Sequence, residues 1–276
     1  MNRLSTAERA RIVACLVEGN SLRATARLTG FARMTIEKLL RDLGRACAEY
    51  HDQHVRNVSS RRVQCDEIWA FVYAKKKNVT AEITEKHPDA GDVWTWTAID
   101  ADSKLVISWL VGSRDASSAY VFMQDVAERL RNRVQLTTDG HRPYLDAVEA
   151  AFGGEIDYAM LQKIYGADPG SETRYSPAVC IGCKAEEISG QPNPKHISTS
   201  YVERQNLTMR MHMRRFTRLT NAFSKKAEML AYNVALHFMY YNFCKIHQTL
   251  RVTPAMEAGV SDHVWSVEEL VGLLPQ

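Results

Sequence analysis

Three carboxylates in this chain of 276 residues, Asp66, Asp139 and Glu203, have the type and order that metal-assisted phosphoryl transfer uses. That chemistry needs hard oxygen ligands holding two Mg²⁺ ions roughly 3.5–4 Å apart, one beside the attacking oxygen and one beside the leaving oxygen. Carboxylates suit Mg²⁺ better than imidazole or thiolate does, and Mn²⁺ is expected to substitute. Taken singly, each acid has an ordinary structural explanation. Asp139-Gly140 is a turn dipeptide, Glu203 is a charge favoured at a helix start, and Asp66 is a strand acid open to pairing. Their order across strand, strand end and helix is what makes them a candidate site. Glu67 is the rival ligand. Because neighbouring strand side chains point to opposite faces, it is expected to face away if Asp66 faces the metals. Asp100 and Asp102 read as turn residues.

The elements that must position these acids follow from the apolar pattern. Residues 5–48 read as three short helices, the first opening with Ser5 and Glu8 at capping-box spacing and closed by Gly19. Ser21 caps the second, Thr29-Gly30 ends it, and a third is expected over 33–49. The third places Ile36, Leu39, Leu40 and Leu43 on one face and leaves Arg33, Thr35, Lys38, Arg41 and Arg45 for solvent or a partner. This is the layout of a helix-turn-helix domain (1–50), whose last helix enters the major groove of DNA. The alternative is a small three-helix bundle with a solvated basic face. Residues 51–62 are polar and read as an exposed linker.

From residue 63 the pattern changes to strands, at 63–73, 92–100 and 105–112, in the order of an antiparallel meander. A helix over 116–131, a strand over 134–138 ending at Asp139, a helix over 144–152 and a strand over 156–161 follow. Residues 166–197, rich in Gly, Pro and Ser, read as an inserted loop region. Two helices from 199 to about 247, broken near 220–224, close the core, and 251–276 is left as a C-terminal tail. The expected class is α/β: a ribonuclease H-like catalytic core over 63–250, a mixed sheet flanked by helices, preceded by the all-α helix-turn-helix domain.

The helix that begins near Glu203 puts Asn206 and Arg210 on about the same side, so a metal ligand, a polar group and a phosphate-seeking cation share one face. Arg204, Arg210, Arg214, Arg215, Arg218, Lys225 and Lys226 crowd the stretch 204–226, which contains no acid. A solvated amphipathic helix explains such a run in isolation. Beside an acidic cluster, phosphate binding with counterion release is the favoured reading. His141, Arg142 and Tyr144 sit just past Asp139, within reach of a scissile phosphate or simply in a polar loop. Trp69, Trp94, Trp96 and Trp109 read as core.

Bulk properties narrow the class without naming a ligand. A net charge of +3 is too mild to identify a nucleic-acid partner by itself. The six cysteines are thinly spread, no apolar signal core opens the chain, and no run approaches the roughly 20 apolar residues of a membrane span. A protein of a reduced, cytoplasmic compartment with no membrane contact is expected. Cys180-Ile181-Gly182-Cys183 has the spacing of half a zinc site, with His196 as a third ligand. Structural zinc takes four, so a reduced pair of loop cysteines is expected in its place.

The runs 65–72 (CDEIWAFV), 137–140 (TTDG) and, above all, 198–218 with 221–226 (NAFSKK) resemble transposases of the insertion sequence one type. The resemblance also takes in 241–244 and 250–255 and covers most of 60–255. It implies a DDE recombinase: Asp66, Asp139 and Glu203 as the acidic triad, a divalent metal, recognition of terminal inverted repeats, donor strand cleavage, and strand transfer into double-stranded target DNA. It also implies a homodimer or larger assembly, with Phe238, Tyr240 and Tyr241 as candidate contacts. Two features depart from the family: no zinc-finger module precedes the helix-turn-helix, and the stretch from Asp139 to Glu203 is long. A non-catalytic DNA-binding regulator of transposition and a metal-dependent nuclease without strand transfer remain the alternatives.

Overall fold

The capping box forms as its spacing predicts. Ser5 Oγ accepts from Glu8 N at 3.2 Å and the Glu8 carboxylate accepts from Ser5 N at 2.7 Å, which opens α1 (Thr6–Val17). Ser21 caps α2 (Leu22–Thr29), and Gly30 ends it at φ +79°, a left-handed position glycine adopts at little cost. The computed structural model describes residues 4–166, 179–217 and 221–275.

The third helix, α3 (Arg33–His54), is longer than its pattern predicts and buries Ile36, Leu39, Leu40 and Leu43. Its C-terminal half crosses α8 (Ala227–Met239) with Gly44 against Tyr232, where an added Cβ would meet the Tyr232 Cβ at 2.4 Å. The stretch 51–62, expected as an exposed linker, is packed at His51, Val55, Val58 and Ser60 and exposed at most of the residues between them. His51 is buried with Nε2 at 3.1 Å from the Val106 carbonyl, and Val55 and Val58 are buried beside it. Arg129 donates to the carbonyls of His51 and Val55 and to Asp52 Oδ1 at 2.7 Å. The polarity that made this stretch look solvated is satisfied across the fold by distant partners.

The sheet has six strands in the order β3-β2-β1-β4-β5-β6, a ribonuclease H-like order. β1 (Arg62–Val72), β2 (Gly91–Asp100) and β3 (Val106–Gly112) form the antiparallel meander. α4 (Ala81–Lys86) lies between β1 and β2, and α5 (Ala116–Arg129) leads from β3 to β4 (Gln135–Thr138). β4 pairs in parallel with β1 and with β5 (Asp157–Gly166), which it reaches through α6 (Pro143–Phe152). β6 (Val179–Ser189) pairs antiparallel with β5 and occupies part of the expected loop insertion. It is an edge strand whose described side chains are nearly all exposed, so ladder hydrogen bonds rather than burial hold it, and no apolar period announces it. Residues 167–178 of that insertion lie outside the described residues.

Both faces of the sheet are covered. Cys65, Trp96, Leu136 and Tyr158 pack with α5, α6 and the N-terminal helices; Ile68, Ala70, Ile99 and Val106 pack with α7 (Ser200–His212) and α8. Trp96 is fully buried. α8 continues as a wide turn, Tyr240–Cys244, in which Asn242 pairs with both the N–H and the carbonyl of Val106 at 3.0 and 2.9 Å. Phe238 and Tyr241, candidate partner contacts, are consumed by this core. The expected tail carries α9 (Pro254–Glu257) and α10 (Val267–Val271), and Leu270 and Val271 join the core cluster that holds α1.

Candidate active site

Parallel pairing of β1 with β4 matches Cys65 to Thr138, so β4 stops one residue before the level of Asp66. Asp139 leaves the end of β4 at that opening. Asp66, Glu67 and Asp139 each present an oxygen there, all within 4.8 Å of one another. Glu67 therefore belongs to the cluster from which strand alternation excluded it. The alternation itself holds. Glu67 shares the face of Cys65 and Asp66 the opposite one, but past the end of β4 no strand stands between the faces, and the longer Glu67 side chain reaches the same opening.

Arg114, in the loop between β3 and α5, ties the acids together. Its Nε donates to Glu67 Oε2 at 3.0 Å and one terminal nitrogen to Asp139 Oδ2 at 3.2 Å, while its plane lies 4.9 Å from the Trp94 ring. The sequence pattern does not single out Arg114. Its only signal is its place immediately before Asp115, the N-cap of α5. On the other side, Asn206 Nδ2 donates to Asp66 Oδ2 at 2.8 Å. Asn206, expected to touch DNA, is largely buried, lines the cleft and orients the first acid.

Burial pushes Asp66 up to about 7, with the charges of Glu67 and Asp139 adding to it. Burial also pushes Glu67 up to about 7, with Asp139 the next cause. Like charges this close cannot all be compensated by one guanidinium. Glu67 is buried with the Tyr144 hydroxyl beside it. Crowded carboxylate oxygens are the donor set a hard divalent cation takes, so the residues fit Mg²⁺ or Mn²⁺.

Glu203 lies on the first turn of α7 and lines the same cleft, of about 890 Å³. Its carboxylate stands outside the cluster of the other three: Lys163 of β5 donates to Oε2, and Thr199 Oγ1 donates to Oε1 at 2.5 Å. Arg210, Arg142 and His141 also line the cleft, so the cations and acids face one space.

No protein-family model and no curated protein matches the chain. Among solved structures it is similar to piggyBac transposase in a synaptic complex with hairpin DNA, at 10% identity and TM-score 0.42, over 97% of this chain and 69% of that one. It is also similar to the Mos1 strand transfer complex, at 13% identity and TM-score 0.24, over 85% and 78%. Likeness at this level equates no residue of this chain with one of theirs.

The other expected contacts are scattered. Arg33 and Lys38 are exposed on α3, each paired with an acid one turn on, Glu37 and Asp42. Thr35 is half-buried, and Arg41 Nε is buried without a partner. Arg204 is exposed on α7, and Arg214, Lys225 and Lys226 are exposed beyond it. Arg215 is half-buried and donates to Ser224 Oγ, and burial lowers it to about 10. Arg218 lies outside the described residues. Cys180 and Cys183 are exposed on β6, and His196 Nδ1 sits 2.9 Å from an Arg62 guanidinium nitrogen, engaged elsewhere than with the cysteines.

Proposed function

We propose that this chain is a DDE-type DNA transposase that cleaves and joins phosphodiester bonds. The observation that carries the reading is the meeting of Asp66, Glu67 and Asp139 at the ends of parallel β1 and β4, in a cleft that Glu203 and Arg210 also line. Asp66, Asp139 and Glu203 are the proposed catalytic acids, with Glu67 completing the oxygen set. Divalent cations bound there would polarise the scissile phosphate and lower the pKa of the attacking water or 3′-hydroxyl.

The chain's own residues supply the rest. Arg114 holds Glu67 and Asp139 close despite their repulsion, and Asn206 fixes the rotamer of Asp66. Asp66 and Glu67 must give up protons before a cation enters. Arg142 and Arg210 are placed to take phosphates of the strand in the cleft, offsetting the acids that would otherwise repel a polyanion. Arg33, Thr35, Lys38 and Arg41 on α3 form the proposed helix-turn-helix contact to duplex DNA, with Arg204, Arg214, Lys225 and Lys226 adding phosphate contacts.

The finer reading is a member of the insertion sequence one type: cytoplasmic and nucleoid-associated, recognising terminal inverted repeats, and acting as a homodimer or larger assembly. Incubating the chain with labelled element ends, target DNA and Mg²⁺, followed by product sequencing, tests it. Nicked ends with joined products support a transposase, nicks alone a nuclease, and DNA binding without either a regulator. D66N, D139N and E203Q should each abolish cleavage, and an acid whose variant keeps full activity leaves the site.

A further inference from the structure

On the other side of α7 from the acids lies a second concavity, of about 540 Å³. That is within the usual range for small-ligand sites. Lys104, Arg204 and Lys245 line it together with the imidazoles of His212 and His247, and no carboxylate is among its described lining residues. Glu18, at the end of α1, acts on Lys245 and His212 from outside it.

Several of these groups lack partners. Gln205 is 2% exposed, and its Nε2 has no acceptor among the described residues. His247 Nδ1 is buried and has no partner among them either. The Arg204 guanidinium is exposed and makes no ion pair or hydrogen bond among the described residues. Lys245 Nζ spends a proton on a neutral acceptor, His212 Nε2, at 2.8 Å. A buried amide donor without an acceptor is costly, and here its side chain lines a space whose charged lining residues among those described, Lys104, Arg204 and Lys245, are all cations. An anion with several acceptor oxygens satisfies such a site. The mouth is apolar: Met211 and Ile246 are 64% and 55% exposed. The Tyr201 ring is held by the Lys104 ammonium 3.6 Å from its centroid.

We propose that this pocket is a second nucleic-acid subsite, which takes one nucleotide of a DNA strand that leaves the catalytic cleft across the exposed ridge of Arg204, Leu207 and Met211. Arg204, Lys245 and Gln205 bind the phosphate, and the nucleoside lies along Met211, Ile246 and Tyr201. α7 is thus shared by two sites, with Glu203, Asn206 and Arg210 facing the acids and Arg204, Gln205 and Thr208 facing the pocket. The inference rests on the reading that the chain handles DNA, yet it is tested without cleavage.

The test is fluorescence anisotropy of a labelled deoxythymidine decamer on the full chain in EDTA. R204E/K245E should weaken binding by about tenfold or more and lower the slope of log K against log salt by about one for each phosphate no longer neutralised. K76E/K77E, the same charge change on an exposed turn that does not line the pocket, should weaken it far less. Equal weakening by both pairs would reduce the effect to net charge and overturn the proposal. Q205L, which changes no charge, should weaken binding several-fold; wild-type affinity in that variant also counts against the site. A 5-iododeoxyuridine strand should crosslink to the peptide bearing Tyr201, whereas crosslinks confined to the cleft would overturn the proposal without relying on any variant's folding. If the decamer binds here and no substrate is ever cleaved, the subsite stands and the transposase reading falls.

Discussion

Lys163 of β5 donates to Glu203 of α7, holding the third acid away from the cluster that the other carboxylates form. Both Glu203 oxygens are engaged, one by this lysine and one by Thr199. A cation so close also opposes entry of a metal ion. K163M should free Glu203 and lower the half-saturating Mn²⁺ concentration about three- to tenfold, a shift of about 1 kcal/mol. Calorimetric titration checks this, and unchanged affinity would mean the pair does not gate the site.

Asp66 and Glu67 make the metal-free fold sensitive to pH. Both have folded values of about 7 against an unfolded carboxylate value of about 4. The folded state therefore binds more protons between these limits, and the contribution to stability present below about pH 4 is lost as pH rises through 7. In EDTA, D66N should be more stable than wild type at pH 8, by on the order of 1–2 kcal/mol, with the difference closing near pH 4. Urea unfolding at the two pH values decides it. Mg²⁺ should stabilise the wild type more at pH 8 than at pH 6.

Two buried histidines act in the opposite direction. Burial is the main cause that lowers His51 to about 4 and His237 to about 3, and both ring nitrogens of His237 lack partners among the described residues. The unfolded value is about 6.5, so the unfolded state binds more protons below it, and stability present above pH 6.5 is lost as pH falls toward 4. H237L should remove part of that acid loss, on the order of 2 kcal/mol between pH 6.5 and 4. An unchanged acid profile for the variant would show that His237 does not carry it.

The crossing of α3 and α8 leaves no room for a side chain at Gly44. G44A would press its Cβ on the Tyr232 Cβ and carbonyl at 2.4 and 2.6 Å. The helix-propensity gain of roughly 1 kcal/mol is outweighed by overpacking, for a net loss of about 1–3 kcal/mol in thermal or urea unfolding. Y232A should not rescue G44A, because alanine at 232 keeps the Cβ and the backbone atoms that meet the added methyl group.

Arg129 is buried between α3 and the sheet with four acceptors: Asp125, Asp52 and the carbonyls of His51 and Val55. R129M should cost about 3–5 kcal/mol, because it strands buried acceptors as well as removing a charge. Chemical denaturation measures the loss, and a cost below about 1 kcal/mol would mean that water replaces the guanidinium.

Local pattern alone was enough to read the helix caps at Ser5 and Ser21, the apolar face of α3, the three-strand meander and the short β4 ending at Asp139, because each is written in contiguous residues. The order of Asp66, Asp139 and Glu203 was legible for the same reason. What only the tertiary structure decided depends on partners far apart in sequence. Glu67 joins the acids because β4 ends beside it, a fact of register that strand alternation does not contain. Arg114 is a bridge because the loop after β3 returns over two acids. The polar stretch 51–62 docks at His51 and Val55 because Val106 and Arg129 satisfy them, and β6 exists because β5 offers an open edge. Periodicity reports burial along one segment; pairing, salt bridges and shared cavities arise only when segments meet.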